Sequence, residues 1–122
     1  MQAAGADAVR PGVNGIVFNA GTMKSTSVVD GTHHGIIGGT LNNTVIFTMS
    51  ITNNAGDIIK GNDGAGINSD GFNNKESVTV INNGTIIGNG ITGDGDGVDV
   101  DGLVNLNNTG IIRSLNSSGL FT

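Results

Sequence analysis

The stretch VTVINNGTIIG, residues 78–88, places three signals side by side: alternating Val78 and Val80, the pair Asn82-Asn83 followed by glycine, and the pair Ile86-Ile87. Alternation of β-branched and polar residues predicts a half-buried strand. Asn-Asn-Gly predicts a turn, because Asn and Gly both tolerate positive φ. What this strand, turn and strand mean for the fold depends on whether they recur.

They do recur. An Ile-Ile pair stands at 36–37, 58–59, 86–87 and 111–112, and a variant starts at Ile16, giving steps of 20, 22, 28 and 25 residues. Ile36, Ile58, Ile86 and Ile111 are therefore read as markers of successive units. Pairs starting at Asn53, Asn82 and Asn107 stand four or five residues before three of these markers. A third frame, G-x-G-[IV]-x-x-D-G, is shared by GAGINSDG (64–71) and GDGVDVDG (95–102), with VVDG (28–31) as a worn copy. Its Asp-Gly pairs, ending at Gly71 and Gly102, mark a corner.

Each unit then holds three short strands separated by Gly, Asn and Asp turns. A unit this small cannot bury its own apolar face, and stacking successive units does so. An antiparallel sandwich needs no sequence repeat, and a propeller blade needs about 40 residues. The expected fold is thus all-β, a parallel β-solenoid of about five coils spaced about 4.8 Å apart. Asn53, Asn82 and Asn107 are expected to stack as a ladder at one corner, and FNNKES (72–77) is the expected loop insertion. Residues 12–122 form the solenoid, while residues 1–11 either cap the first coil or are loose.

Composition agrees with this reading. The chain has 22 glycines, 17 asparagines, 14 isoleucines and 12 threonines, against one each of Glu, Gln and Pro, so helices are not expected. Net charge is -5, and the five basic residues, Arg10, Lys24, Lys60, Lys75 and Arg113, are scattered along the sequence. Phosphate backbones and anionic membranes require clustered Lys and Arg, so neither is an expected partner. There is no cysteine, which removes disulfides and thiolate chemistry. No apolar run approaches the roughly 20 residues of a membrane helix, and MQAAGADAVR lacks the pattern of a secretion signal. If the protein is exported, the expectation is that these residues are an internal piece of a longer chain.

The frames GxGVxVDG, VxNNGTIxG and LNNTGIIRS resemble the degenerate repeats of bacterial autotransporter passenger domains, the surface-exposed part of type V secreted proteins. The resemblance covers about residues 12–118 and is clearest over 51–115. It implies a right-handed parallel β-helix at the bacterial cell surface, its parent anchored in the outer membrane. The implied role is a stalk or adhesive segment, not an enzyme. Implied partners are a receptor or glycan on a host or neighbouring cell. Exposed solenoid ends add an expectation of self-association, because unpaired sheet edges seek partners.

Three patterns carry candidate chemistry. Asp94, Asp96, Asp99 and Asp101 crowd GDGDGVDVDG (93–102). On one strand Asp99 and Asp101 would project from the same face about 7 Å apart, a separation that two glycosidase carboxylates can use. The alternative function is therefore a polysaccharide-active β-helical enzyme using this cluster. Against it, no Arg or Lys lies in 76–112, and the chain lacks Trp and Tyr as sugar platforms. As a calcium site the same four aspartates fit the EF-hand poorly, since Val98 takes its fifth position and no Glu follows. They remain a weak cation candidate, and no other cofactor is expected. His33 and His34 are adjacent and point to opposite faces on a strand, a poor geometry for joint chelation. Thr48, Ser50 and Thr52 would begin an ice-binding array if successive coils repeated them, and Thr79 is the clear successor.

Overall fold

The computed structural model describes residues 1–4, 6–26, 33–39, 46–69, 75–91 and 95–115. These residues contain no helix. The strands are β1 (Gln2–Ala3), β2 (Gly15–Asn19), β3 (Thr22–Ser25), β4 (Ile36–Gly38), β5 (Phe47–Asn53) and β6 (Ile58–Lys60). They continue as β7 (Ile67–Ser69), β8 (Glu76–Asn82), β9 (Thr85–Gly88), β10 (Val98–Val100), β11 (Leu103–Asn108) and β12 (Ile111–Ser114).

All pairing between these strands is parallel. Three sheets result, ordered β2-β5-β8-β11, β1-β3-β6-β9-β12 and β4-β7-β10. From β2 onward each strand pairs with the strand three places later, so every unit contributes one strand to each sheet. The expectation of all-β structure built from parallel strands, three per unit, agrees with this arrangement.

Alternation decides what is buried. In β5 the side chains of Phe47, Met49 and Ile51 face inward and are buried, while Thr48, Ser50 and Thr52 face out. Val78 and Val80 of β8 repeat the pattern in register. Val17, Ile36, Ile59, Ile67 and Ile86 complete the core, with Met23, Val98, Val100 and Ile112 packed against it. Each fully buried aliphatic side chain contributes about 1.5–3 kcal/mol.

The Ile pairs do not mark one column. Ile58 stands opposite Thr85, and Thr85 opposite Ile111, so these side chains share an outward row. The inward row of that sheet is Met23, Ile59, Ile86 and Ile112. Ile86 is thus buried, whereas Ile111 is exposed and Ile58 only half-buried. Ile36 belongs to another sheet, opposite Ile67, and Ile16 to the third, opposite Ser50. The physical reason is that isoleucine suits either side of a pleated sheet, so an Ile-Ile pair does not fix which member points inward.

The Asn ladder exists with different members. Asn19, Asn53, Asn82 and Asn108 are in register, and each Nδ2 donates to the next Oδ1 at 2.8, 2.8 and 2.7 Å. Asn107, expected as a rung, lies opposite Ile81 and points outward; Asn19 was not expected at all. The shared frame is Asn-x-Gly before the next strand, in Asn19-Ala20-Gly21, Asn82-Asn83-Gly84 and Asn108-Thr109-Gly110. The β5–β6 turn adds residues to it and places Gly56 at φ +84°. Each amide also donates to a carbonyl of its own turn and to one that opens the next unit's strand: Asn53 to Asp57 and Thr85, Asn82 to Gly84 and Ile111. Such bonds satisfy backbone groups that would otherwise be stranded inside the turn.

A glycine column underlies the third sheet. Gly35, Gly66 and Gly97 precede Ile36, Ile67 and Val98, which are in register. A Cβ on Gly35 would lie 2.9 Å from Ile59 Cγ2, on Gly66 2.6 Å from Ile86 Cγ2, and on Gly97 2.5 Å from Ile112 Cγ2. The true early copy of the third frame is therefore HGIIG at 34–38, and VVDG at 28–31 lies outside the described residues.

The N-terminal residues extend two of the sheets. Gln2 and Ala3 pair with Lys24 and Ser25, and Val9 bridges to Ile36. Asp7 is buried there, accepting the His34 backbone N–H at 2.8 Å and pairing with Arg10 at 2.6 Å.

Two pairs of variants test this register. Asn53→Ala strips two neighbouring amides of a partner and is expected to cost about 3 kcal/mol, while Asn107→Ala stays within about 0.5 kcal/mol. Gly66→Ala forces a methyl against Ile86 and costs about 2–3 kcal/mol, whereas Gly12→Ala, with nothing within 4 Å of its Cβ, leaves stability unchanged. Urea unfolding measures both.

Candidate binding surface

Three of the four aspartates of the acidic stretch lie among the described residues. Asp94 lies outside the described residues. Asp96 is exposed in the segment before β10, and its carbonyl accepts the Gly66 N–H at 3.0 Å. Asp99 is the middle residue of β10, opposite Asn68; its neighbours Val98 and Val100 pack on the core, so its side chain points away. Asp101 follows the strand in a bend, its N–H donating to the Ser69 carbonyl at 3.1 Å. The strand ends at Val100, so Asp99 and Asp101 do not form the same-face pair of one strand. Among the described residues, no three His, Asp or Glu side chains gather closely enough to hold a metal ion.

Gly102 owes its identity to packing. A Cβ there would lie 2.3 Å from the Glu76 carbonyl oxygen of β8. Gly71 lies outside the described residues. Glu76 is buried and accepts the Ser69 hydroxyl at 3.0 Å, beneath the same corner.

Both histidines precede β4 and lie on no strand. His34 is buried, and its Nδ1 accepts the Ala65 N–H at 2.9 Å. Its Nε2 lies 3.1 Å from Asn68 Nδ2. This histidine is consumed in tying neighbouring layers together.

What the fold does build is a surface. The outward row Ile16, Ser50, Thr79 and Asn105 runs across β2-β5-β8-β11, beside the row Phe18, Thr52, Ile81 and Asn107. Thr48, Ser77 and Leu103 make a shorter third row. No residue in these rows carries a charge. Hydroxyls occupy the centre, while Ile16 and Phe18 at one margin are 82% and 64% exposed, and Leu103 at the other is 59% exposed. The Thr48–Ser50–Thr52 alternation is thus followed by Ser77–Thr79–Ile81, so the hydroxyl array spans two strands and then gives way to Leu103, Asn105 and Asn107 on β11. Sequence reasoning found the threonines but not Ile16 and Phe18, whose alternation with Val17 and Asn19 was the available signal.

Comparison of the chain with protein-family models, curated proteins and solved structures yields no match.

The exposed margin is separable from folding. The double variant Ile16→Ser, Phe18→Ser is expected to elute earlier from a phenyl hydrophobic-interaction column, with an unfolding midpoint shifted by no more than about 0.5 kcal/mol.

Proposed function

We propose that this chain is a segment of a right-handed parallel β-helix from the passenger of an autotransporter-like bacterial surface protein, serving as a stalk and adhesive surface. The carrying observation is the pairing of each strand with the strand three places later, held in register by the asparagine column. Such pairing propagates along one axis by adding layers, and it leaves long lateral faces made of repeated positions. A stalk needs length without a change in cross-section, and an adhesive surface needs extended, regular faces. The uncharged face of β2-β5-β8-β11, with exposed Ile16, Phe18 and Leu103, supports the adhesive part of this reading. The resemblance of VINNGTIIG and GDGVDVDG to passenger repeats supports the surface location. Brief protease treatment of intact cells of the source organism is the test: loss of the protein without cell lysis is expected, and full protection until the cells are opened would overturn the reading.

The end layer supports self-association. Val104 and Leu106 continue the buried column of Val78 and Val80, yet they are 41% and 49% exposed. Among the described residues β11 pairs only with β8, and an apolar row beside such a strand edge attracts another edge. Sedimentation velocity from micromolar to millimolar protein is expected to show reversible growth in mass, abolished by Val104→Lys with Leu106→Lys. Unchanged monomer at every concentration would overturn self-association.

A further inference from the structure

The basic residues that look scattered in sequence are gathered by the strand register. Lys24 stands opposite Lys60, Lys60 opposite Ile87, and Ile87 opposite Arg113. Their neighbours Met23, Ile59, Ile86 and Ile112 turn inward, so this row lies on the outer side of β3-β6-β9-β12. Gln2 of β1 extends it by one position, opposite Lys24. Three of the five basic residues of the chain thus fall on one line across the strands. Adjacent strands are about 4.8 Å apart, so Lys24 to Arg113 spans about 14 Å.

Among the described residues, no carboxylate forms an ion pair with Lys24, Lys60 or Arg113. Arg10 pairs with Asp7, away from this row. Asp7, Asp63, Asp96, Asp99 and Asp101 lie in or beside the β4-β7-β10 sheet, and Glu76 is buried on β8. Asp57, just before β6, also flanks the basic sheet and forms no ion pair with the row, and the backbone of Asp96 lies against Gly88 at the end of β9. Lys24 and Lys60 are half-buried and Arg113 is exposed, with Ile87, 8% exposed, between Lys60 and Arg113 in the row.

We propose that the row Lys24, Lys60 and Arg113 is a binding site for an acidic polysaccharide, a linear chain bearing carboxylate or sulfate groups, laid across the strands of this sheet. Charge complementarity selects an anion, and the linear spacing of the cations selects a polymer over a single small ion. Arg113 supplies the bidentate fork that suits a carboxylate or sulfate, and the two lysines supply point charges. A single-stranded nucleic acid is disfavoured, because the strands of this sheet carry no aromatic side chain on which bases would stack. The neighbouring outward row of Thr22, Ile58, Thr85 and Ile111 offers hydroxyl and apolar contacts to a sugar ring instead. This deepens the adhesive reading and rests on it for its biological setting, though the row itself follows from register alone.

Binding of the whole chain to polygalacturonate, dextran sulfate, neutral dextran and polyuridylate at low and high salt tests the site. Expected is binding to polygalacturonate or dextran sulfate, the two distinguishing carboxylate from sulfate, with no binding to neutral dextran and steep weakening by salt. Lys60→Gln should weaken binding about fivefold, and the triple variant Lys24→Gln, Lys60→Gln, Arg113→Gln about a hundredfold, with unchanged circular dichroism. Gln2→Lys lengthens the row and should tighten binding, while Lys75→Gln, off the row, should leave it unaltered. Binding undiminished by the triple variant, tighter binding to polyuridylate than to either glycan, or no binding to any polyanion would overturn the proposal. The surface reading stands or falls separately, on the protease experiment with intact cells.

Discussion

A buried amide cannot be left without partners, and that requirement organises this molecule. Asn53 and Asn82 are wholly enclosed, and each satisfies its nitrogen by reaching to the next layer and to carbonyls of the adjoining turn. A slip of one residue in β5 or β8 would turn these amides to solvent and bring Thr52 or Ile81 into the core. The cost would fall on hydrogen bonds and apolar burial together, since Met49, Ile51, Val78 and Val80 share the same alternation. The asparagine column therefore fixes the register that the hydrophobic core exploits.

Register, once fixed, sorts surface chemistry. Rows of outward side chains on β2-β5-β8-β11 are uncharged, those on β3-β6-β9-β12 carry Lys24, Lys60 and Arg113, and acids concentrate at β4-β7-β10. None of this segregation is needed for packing, because outward positions accept almost any residue. It arises because positions far apart in the chain are placed side by side at every layer. A modest chain with few charges thereby presents separate faces of different character.

Much of the architecture was legible in the sequence. Glycine frames at 64–71 and 95–102 aligned as the strands do, since a glycine facing an isoleucine at van der Waals contact leaves little freedom in spacing. Asn53 and Asn82 were legible for the same reason. The Ile pairs misled because isoleucine serves both sides of the sheet, so Ile58 and Ile111, read as markers equivalent to Ile36 and Ile86, belong to an outward row. Asn107 was taken for Asn108 because the turn after β5 is longer than the others, which blurs the count back from the next strand. The basic row was invisible, since unequal turns separate its members by unequal lengths of chain. The acidic stretch is dense in sequence, and among the described residues Asp99 lies on β10 while Asp96 precedes it and Asp101 follows it.

The asparagine column also has a direction. Asn19 donates to Asn53, Asn53 to Asn82 and Asn82 to Asn108, so every Nδ2–H points toward the later layer and every Oδ1 toward the earlier one. One end of the column is a donor and the other an acceptor. A two-fold axis would bring identical ends together, donor to donor, and could not extend it. Any contact between copies that continues the column is therefore head-to-tail, and a head-to-tail contact without a closing rotation has no natural stopping point. In symmetry terms, such an assembly is an open filament.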